Sequence, residues 1–240
     1  MKRKTLDRLN ADRADNRPVA LVTETASGGQ WLVYSDAVSP GAALPEDMLA
    51  EARAAMADDR SATRELDGRS YFIQVHNPPL RLFIVGAVHI TQALARIATL
   101  AGYAVTVIDP RRAFAEPERF PGLEVSNDWP DDVLGAAVPD RRTAIVTLSH
   151  DPKIDDPALE TVLKSEVFYI GSLGSNRTHG KRLTRLREKG FSAAETERIH
   201  GPIGLDIGAK SPAEIAISIM AEITQARRAP QVSAPGNGAS

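Results

Sequence analysis

Leu82-Phe83-Ile84-Val85-Gly86 and Ala104-Val105-Thr106-Val107-Ile108-Asp109 are continuous apolar runs, each closed by a polar or turn residue, with helical periodicity from Ile90 to Ala101 between them. Two more runs follow, Ala144-Ile145-Val146-Thr147 and Val167-Phe168-Tyr169-Ile170, with helical patterns behind them at 157–164 and 177–188. A strand that is apolar at every position has both faces covered, and strands that alternate with helices pair in parallel. The spacing therefore predicts an open α/β domain of dinucleotide-binding type. Ser211-Pro212-Ala213-Glu214 marks the start of its last helix: an N-cap serine, proline at the first helical position and glutamate in capping-box spacing, ahead of Ile215, Ile219 and Ile223.

Upstream the pattern differs. Residues 2–15 have a weak helical period, Pro18 to Thr23 and Gln30 to Tyr34 read as short strands, Glu46 to Met56 as an Ala-rich helix, and Arg69 to Val75 alternates like a strand. His76-Asn77-Pro78-Pro79 ends this part. The expected organisation is a small α+β domain over 1–79, a cofactor-binding domain over 80–228, and a tail over 229–240 whose Pro, Gly and Ser content predicts disorder.

Composition removes several classes of function. With 29 basic and 31 acidic residues the chain has a net charge of −2, without the basic excess of a nucleic-acid binder. No apolar run is long enough to span a bilayer, and the polar, charged start has no signal-peptide core, so a cytoplasmic protein is expected. There is no cysteine, hence no disulfide or thiolate site, and the five histidines are dispersed without ligand spacing, so no metal site is expected.

In a parallel sheet ligands sit outside the carboxyl ends of the strands, which singles out four loops. Loop one, Gly86-Ala87-Val88-His89, stands where a glycine-rich dinucleotide turn would be, with Asp109 in the place of a ribose-binding acid and Arg111 beside it. Val88 replaces the glycine of close approach and is expected to crowd a diphosphate, so NAD(P) is not the expected cofactor; Arg111 and Arg112 read equally well as solvated surface arginines. Loop two holds His150 and Asp151, an acid–base pair or an Asp-Pro turn beside a hydrogen-bonding histidine. Loop three, with Gly171, Ser172, Gly174, Ser175 and Arg177, reads as an anion cradle at a helix N-terminus, or as a plain capped turn. Loop four carries His200, Gly204, Asp206 and Gly208 into the capped helix. No catalytic residue is assigned.

Phe168-Tyr169-Ile170-Gly171-Ser172-Leu173-Gly174-Ser175, Arg198-Ile199-His200-Gly201-Pro202-Ile203-Gly204-Leu205-Asp206-Ile207-Gly208-Ala209 and Pro212-Ala213-Glu214-Ile215-Ala216 together resemble the C-terminal half of the xanthine dehydrogenase accessory proteins of XdhC/CoxI type. Thr147 to Lys153 and Val107 to Arg111 fit the same pattern, and the resemblance spans about residues 80–225. It implies a Rossmann-like domain behind a smaller N-terminal one, and a chaperone that binds molybdenum cofactor (molybdopterin, a pyranopterin phosphate or its nucleotide) and delivers it to a molybdenum hydroxylase apoenzyme. It also implies a homodimer and a sulfurating cysteine desulfurase as a further partner. Two departures stand out: the segment Asp36 to Gly41 lacks the cysteine the family commonly carries there, and Val88 stands where the family usually has glycine. The competing functions are an NAD(P)-dependent oxidoreductase using Asp109 and His150, and a docking protein that has lost its ligand.

Overall fold

A computed structural model describes residues 3–39 and 43–229. Pro40 and Gly41, in the segment where the resemblance expects a cysteine, and the tail from Pro230 onward lie outside the described residues. The chain forms two compact units, Met1–Pro78 and Pro79–Ser240.

The first unit contains α1 (Arg3–Ala14), β1 (Val19–Glu24), β2 (Gln30–Val33), α2 (Glu46–Ala57), β3 (Ala62–Leu66) and β4 (Arg69–His76). Its strands form an antiparallel sheet in the order β2-β1-β4-β3. Alternation along β1 explains its two covers. Ala20 and Val22 pack with Met48, Ala52 and Met56 of α2, while Val19 and Leu21 pack with Leu9 of α1. Strand β3 was not expected: Ala-Thr-Arg-Glu-Leu is mostly exposed and carries almost no apolar signal, and it exists by pairing with β4.

The second unit runs β5 (Leu80–Val85), α3 (His89–Leu100), β6 (Tyr103–Ile108), β7 (Glu124–Ser126), α4 (Pro130–Ala137), β8 (Thr143–Thr147), α5 (Pro152–Val162), β9 (Tyr169–Ser172), α6 (Asn176–Glu188), α7 (Ala193–Thr196), β10 (Ile199–His200) and α8 (Pro212–Arg228). Its six strands are all parallel, in the order β10-β9-β8-β5-β6-β7. Leu82 and Ile84 of β5 face Leu94 and Ala98 of α3 and Ile219 and Ile223 of α8; Phe83 and Val85 face Leu134 of α4 and Ile154, Leu159 and Val162 of α5. Each such side chain, fully buried, contributes about 1.5–3 kcal/mol, which is why β5 is apolar at each position from Leu82 to Val85. Helix α8 begins as its sequence predicts: Ser211 Oγ accepts from Glu214 N at 3.3 Å, and Glu214 Oε2 accepts from Ser211 N at 2.8 Å. No helix among the described residues is long and apolar enough to cross a membrane.

Two boundaries differ from expectation. Helix α5 starts at Pro152, five residues early, because Asp151 caps it by accepting from Lys153 N at 2.9 Å. Strand β9 lies two residues later than its apolar run suggests, since its register pairs Val146 with Gly171 and Thr147 with Ser172.

Candidate functional site

The chain enters the parallel sheet at β5, adds β6 and β7 on one side, and returns to the other side of β5 with β8. The carboxyl ends of β5 and β8 therefore flank a topological switch point, where an open α/β sheet leaves a crevice. Loops one and two meet there. Gly86, at φ +108°, lies so close to loop two that a Cβ on it would stand 2.6 Å from Ser149 N, so only glycine fits.

Loop one spends its polar groups internally. Ala87 N–H donates to Asp109 Oδ2 at 2.8 Å, and Arg111 holds the same carboxylate through Nε and its backbone N–H to Oδ1 (2.9 and 3.0 Å) and Nη2 to Oδ2 (2.8 Å). Burial pushes the Asp109 carboxyl upward, but these bonds outweigh it and hold the group below its ordinary value. Asp109 is fully buried. The expected ribose-binding acid is thus turned inward, and Arg111, instead of standing in solvent, is its partner. Val88 differs from expectation too: its side chain packs on the apolar cluster of β5 and α3 instead of crowding the loop. It is the N-cap of α3 without a side-chain cap, and His89 begins that helix exposed. With Asp109 closed off, isothermal titration with NAD or NADP is expected to show no binding tighter than roughly 10 µM; a low-micromolar constant would revive the oxidoreductase reading.

At loop two, Ser149 Oγ donates to Asp155 Oδ1 at 2.7 Å and accepts from Asp151 N at 3.0 Å. Asp151 is a helix cap, so the turn reading describes it. His150 is exposed and held at φ +64°, a left-handed conformation that costs a non-glycine residue energy and often marks a working position. Partial desolvation and then Arg182 push its imidazole below the ordinary value, towards the neutral form.

Loop three is shorter than expected. Gly171 and Ser172 are buried strand residues, with Ile203 Cδ1 and the Tyr169 hydroxyl filling the space beside Gly171 and Thr147 Oγ1 bonded to Ser172 Oγ at 2.5 Å. They are not offered to a ligand, because the pairing with β8 draws them into the sheet. Leu173, Gly174 and Ser175 form the turn, and Ser175 caps α6 by accepting from Thr178 N at 3.3 Å. The capped-turn reading describes this loop, with Arg177 exposed beside it in the first turn of α6.

Loop four divides in two. His200 belongs to β10, where its Nδ1 meets Glu222 Oε1 at 2.9 Å and its ring stacks on Tyr169 with centroids 4.7 Å apart. Glu222 Oε2 also accepts from the Tyr169 hydroxyl at 2.6 Å and from Gly204 N at 2.7 Å. Burial raises the Glu222 carboxyl, yet His200, Tyr169 and Gly204 N–H together bring it below its ordinary value, and the Tyr169 hydroxyl is pushed up by burial and by Glu222. Gly201 abuts the His179 ring on α6, which ties the start of loop four to loop three's helix. Asp206 and Gly208 are exposed, and no side chain stands beside Gly208.

The sequence did not reveal the buried polar groups behind these loops. Arg182 is 2% exposed; its Nη2 donates to Leu173 O at 2.9 Å, but its Nε and Nη1 have no partner among the described residues. The same is true of Asp155 Oδ2 and His179 Nδ1. Arg182 acts on its ionisable neighbours: it disfavours the charged forms of His150 and His179 and favours ionised Asp155. Burial still dominates at Asp155 and raises its carboxyl to about 6. A clue existed, since Arg182 shares a helical face with Leu186, the other buried residue of α6. No group of His, Cys, Asp or Glu among the described residues could hold a metal ion.

The chain is 36% identical over 173 residues to the uncharacterized protein YqeB of Escherichia coli (strain K12), covering 70% of this chain and 30% of that protein. It is 33% identical over 150 residues to the molybdenum cofactor insertion chaperone PaoD of the same organism, covering 62% and 41%. It is also 33% identical over 159 residues to a probable xanthine dehydrogenase component of Bacillus subtilis (strain 168), covering 65% and 46%. The chain thus spans between 30% and 46% of the length of these relatives. The crystal structure of a xanthine dehydrogenase from Bacillus halodurans superposes with a TM-score of 0.73 at 24% identity, covering 94% of this chain and 67% of that one, a likeness of fold. Residues 82–223, more than half of the chain, match the family described as the XdhC Rossmann domain, and the chain belongs to that family.

Proposed function

We propose that this protein binds molybdenum cofactor by its phosphate-bearing end and assists its insertion into a xanthine dehydrogenase-type molybdenum hydroxylase. The observation that carries the reading is the meeting of loops three and four on the first turns of α6, with His150 of loop two in the field of Arg182, at the carboxyl edge of an XdhC Rossmann domain. The relative named as a molybdenum cofactor insertion chaperone supports it.

The donor set suits a phosphate. Ser175 caps Thr178 N and leaves the N–H groups of Asn176 and Arg177 without a side-chain acceptor, at the positive end of a helix. Arg177 adds an exposed charge there, and neutral His150 stands at the rim with a nitrogen for a pterin or ribose polar edge. With no cysteine in the chain, the protein offers the metal no thiolate, so its grip falls on the organic part of the cofactor. Bound cofactor supplies redox chemistry at molybdenum to the recipient enzyme; the residues named here bind and orient it. A second copy of the chain and a sulfurating cysteine desulfurase are the further partners in this proposal.

Mass spectrometry of the full chain purified from a host that makes the cofactor is expected to find a pyranopterin phosphate or its nucleotide. Arg177→Ala is expected to change stability by no more than about 0.5 kcal/mol, while weakening retention roughly ten- to a hundredfold, the value of one charge-assisted contact. Purification of the chain with a nicotinamide dinucleotide, or with no pterin at all, would overturn the proposal.

A further inference from the structure

Arginine is rarely buried without acceptors for its five donors, because an unpaired guanidinium loses its hydration and gains nothing in return. Arg182 is in that condition. It is 2% exposed, one N–H group reaches Leu173 O, and Nε and Nη1 have no partner among the described residues. Asp156 does not relieve it, being held by Arg185 through bonds of 2.7 and 2.9 Å. Asp155 attracts it, but the Asp155 carboxylate bonds to Ser149 Oγ through Oδ1 and leaves Oδ2 unpartnered.

The place of the guanidinium matters as much as its state. Side chains on a helix lean towards its N-terminus, and Arg182 reaches back along α6 to the carboxyl end of β9. There it lies beneath loop three. A side chain at Gly174, whose φ is +146°, would begin 3.8 Å from Arg182 Nη2 and 3.1 Å from Thr178 Cβ, so glycine lets loop three lie close over the guanidinium. Arg182 is also the cation that acts on both His150 of loop two and His179 beneath loop four. One buried cation thus serves three of the four loops around the crevice.

We infer that Arg182 is a phosphate receptor under loop three, its Nε and Nη1 groups, which point to different sides of the guanidinium, each held free for an oxygen of an incoming phosphate ester. Donors fixed in direction around a planar charge are what distinguish arginine from lysine. The inference rests on the proposed function only for the identity of the ester; the receptor itself recognises any accessible phosphate or diphosphate.

The test uses the full chain and inorganic pyrophosphate as probe, read by titration calorimetry and by the ligand-induced rise in melting temperature. Wild type is expected to bind saturably, Arg182→Lys to bind roughly ten- to a hundredfold more weakly because it keeps the charge but loses the directed donors, and Arg96→Ala, an exposed change on α3, to match wild type. Arg182→Gln removes the charge as well; should it fail to fold, the lysine variant decides. Pyrophosphate affinity in Arg182→Lys equal to that of wild type, or no saturable binding by wild type, overturns the inference. Pterin retained equally by wild type and Arg182→Lys also overturns it while leaving the cofactor proposal standing. Arg182-dependent pyrophosphate binding without any co-purified pterin upholds the receptor and removes the cofactor proposal.

Discussion

Glu222→Ala is expected to be among the most damaging single substitutions in the second unit, lowering its stability by about 3 kcal/mol or more. One carboxylate serves the Tyr169 hydroxyl, the Gly204 N–H and His200 Nδ1. Its loss strands donors on three separate elements, and each buried donor left unsatisfied costs about 1–3 kcal/mol. Tyr169 suffers most, being 1% exposed with its hydroxyl committed to Glu222. Glu222→Gln makes the comparison sharper: both strong donors point at Oε2, so an amide oxygen there keeps them and turns its NH2 group towards His200. Urea denaturation should place the glutamine variant much nearer wild type than the alanine variant. A Glu222→Ala midpoint indistinguishable from wild type would show that the network contributes nothing to the fold.

Asp155→Asn is expected to act in the opposite direction, and only above acidic pH. Burial raises the Asp155 carboxyl from 3.8 to about 6. Between these values the unfolded chain has already released a proton that the folded chain keeps, so rising pH favours unfolding. Asp155 therefore weakens the fold progressively between about pH 4 and 6, and by a constant amount above that, on the order of 2–3 kcal/mol for a shift of this size. Asparagine preserves the acceptor for Ser149 Oγ without the charge. The stability difference between variant and wild type, measured by denaturation at a series of pH values, should be smallest near pH 4, widen in the variant's favour up to pH 6, and then level off. A difference that stays flat across that range would place the Asp155 carboxyl at its ordinary value.

The parallel sheet was legible in the sequence because burial on both faces writes itself as uninterrupted apolar runs, as in Leu82 to Val85 and Ala144 to Thr147. Helix α8 was legible because capping is local, a matter of Ser211 and Glu214 within one turn. What escaped was set by partners distant along the chain. Strand β3 and the three-residue β7 carry little apolar signal, and pairing alone makes them strands. Gly171 and Ser172 looked like loop residues, but the register with β8 made them strand. Within the loops that the sequence singled out, individual side chains were misjudged. Asp109 and Arg111 satisfy each other, and Val88 turns into the core, because the inward choice was available to each. Arg182 and Asp155, which keep buried polar atoms without a hydrogen-bond partner among the described residues, lie on helices where an ordinary reading places charged residues in solvent.

The interlock of Gly86 with Ser149 also bears on how the protein comes to be made. Strand β5 leaves the ribosome 63 residues before β8 does, and until then loop one has neither Ser149 to lie against nor the Leu148 N–H that bonds Val85 O at 2.7 Å. The first strand–helix–strand segment therefore emerges with the middle of its sheet unpaired on one side, an apolar edge exposed to other nascent chains. The crevice cannot take shape during synthesis of its first loop; it forms no earlier than the closing of β8 against β5.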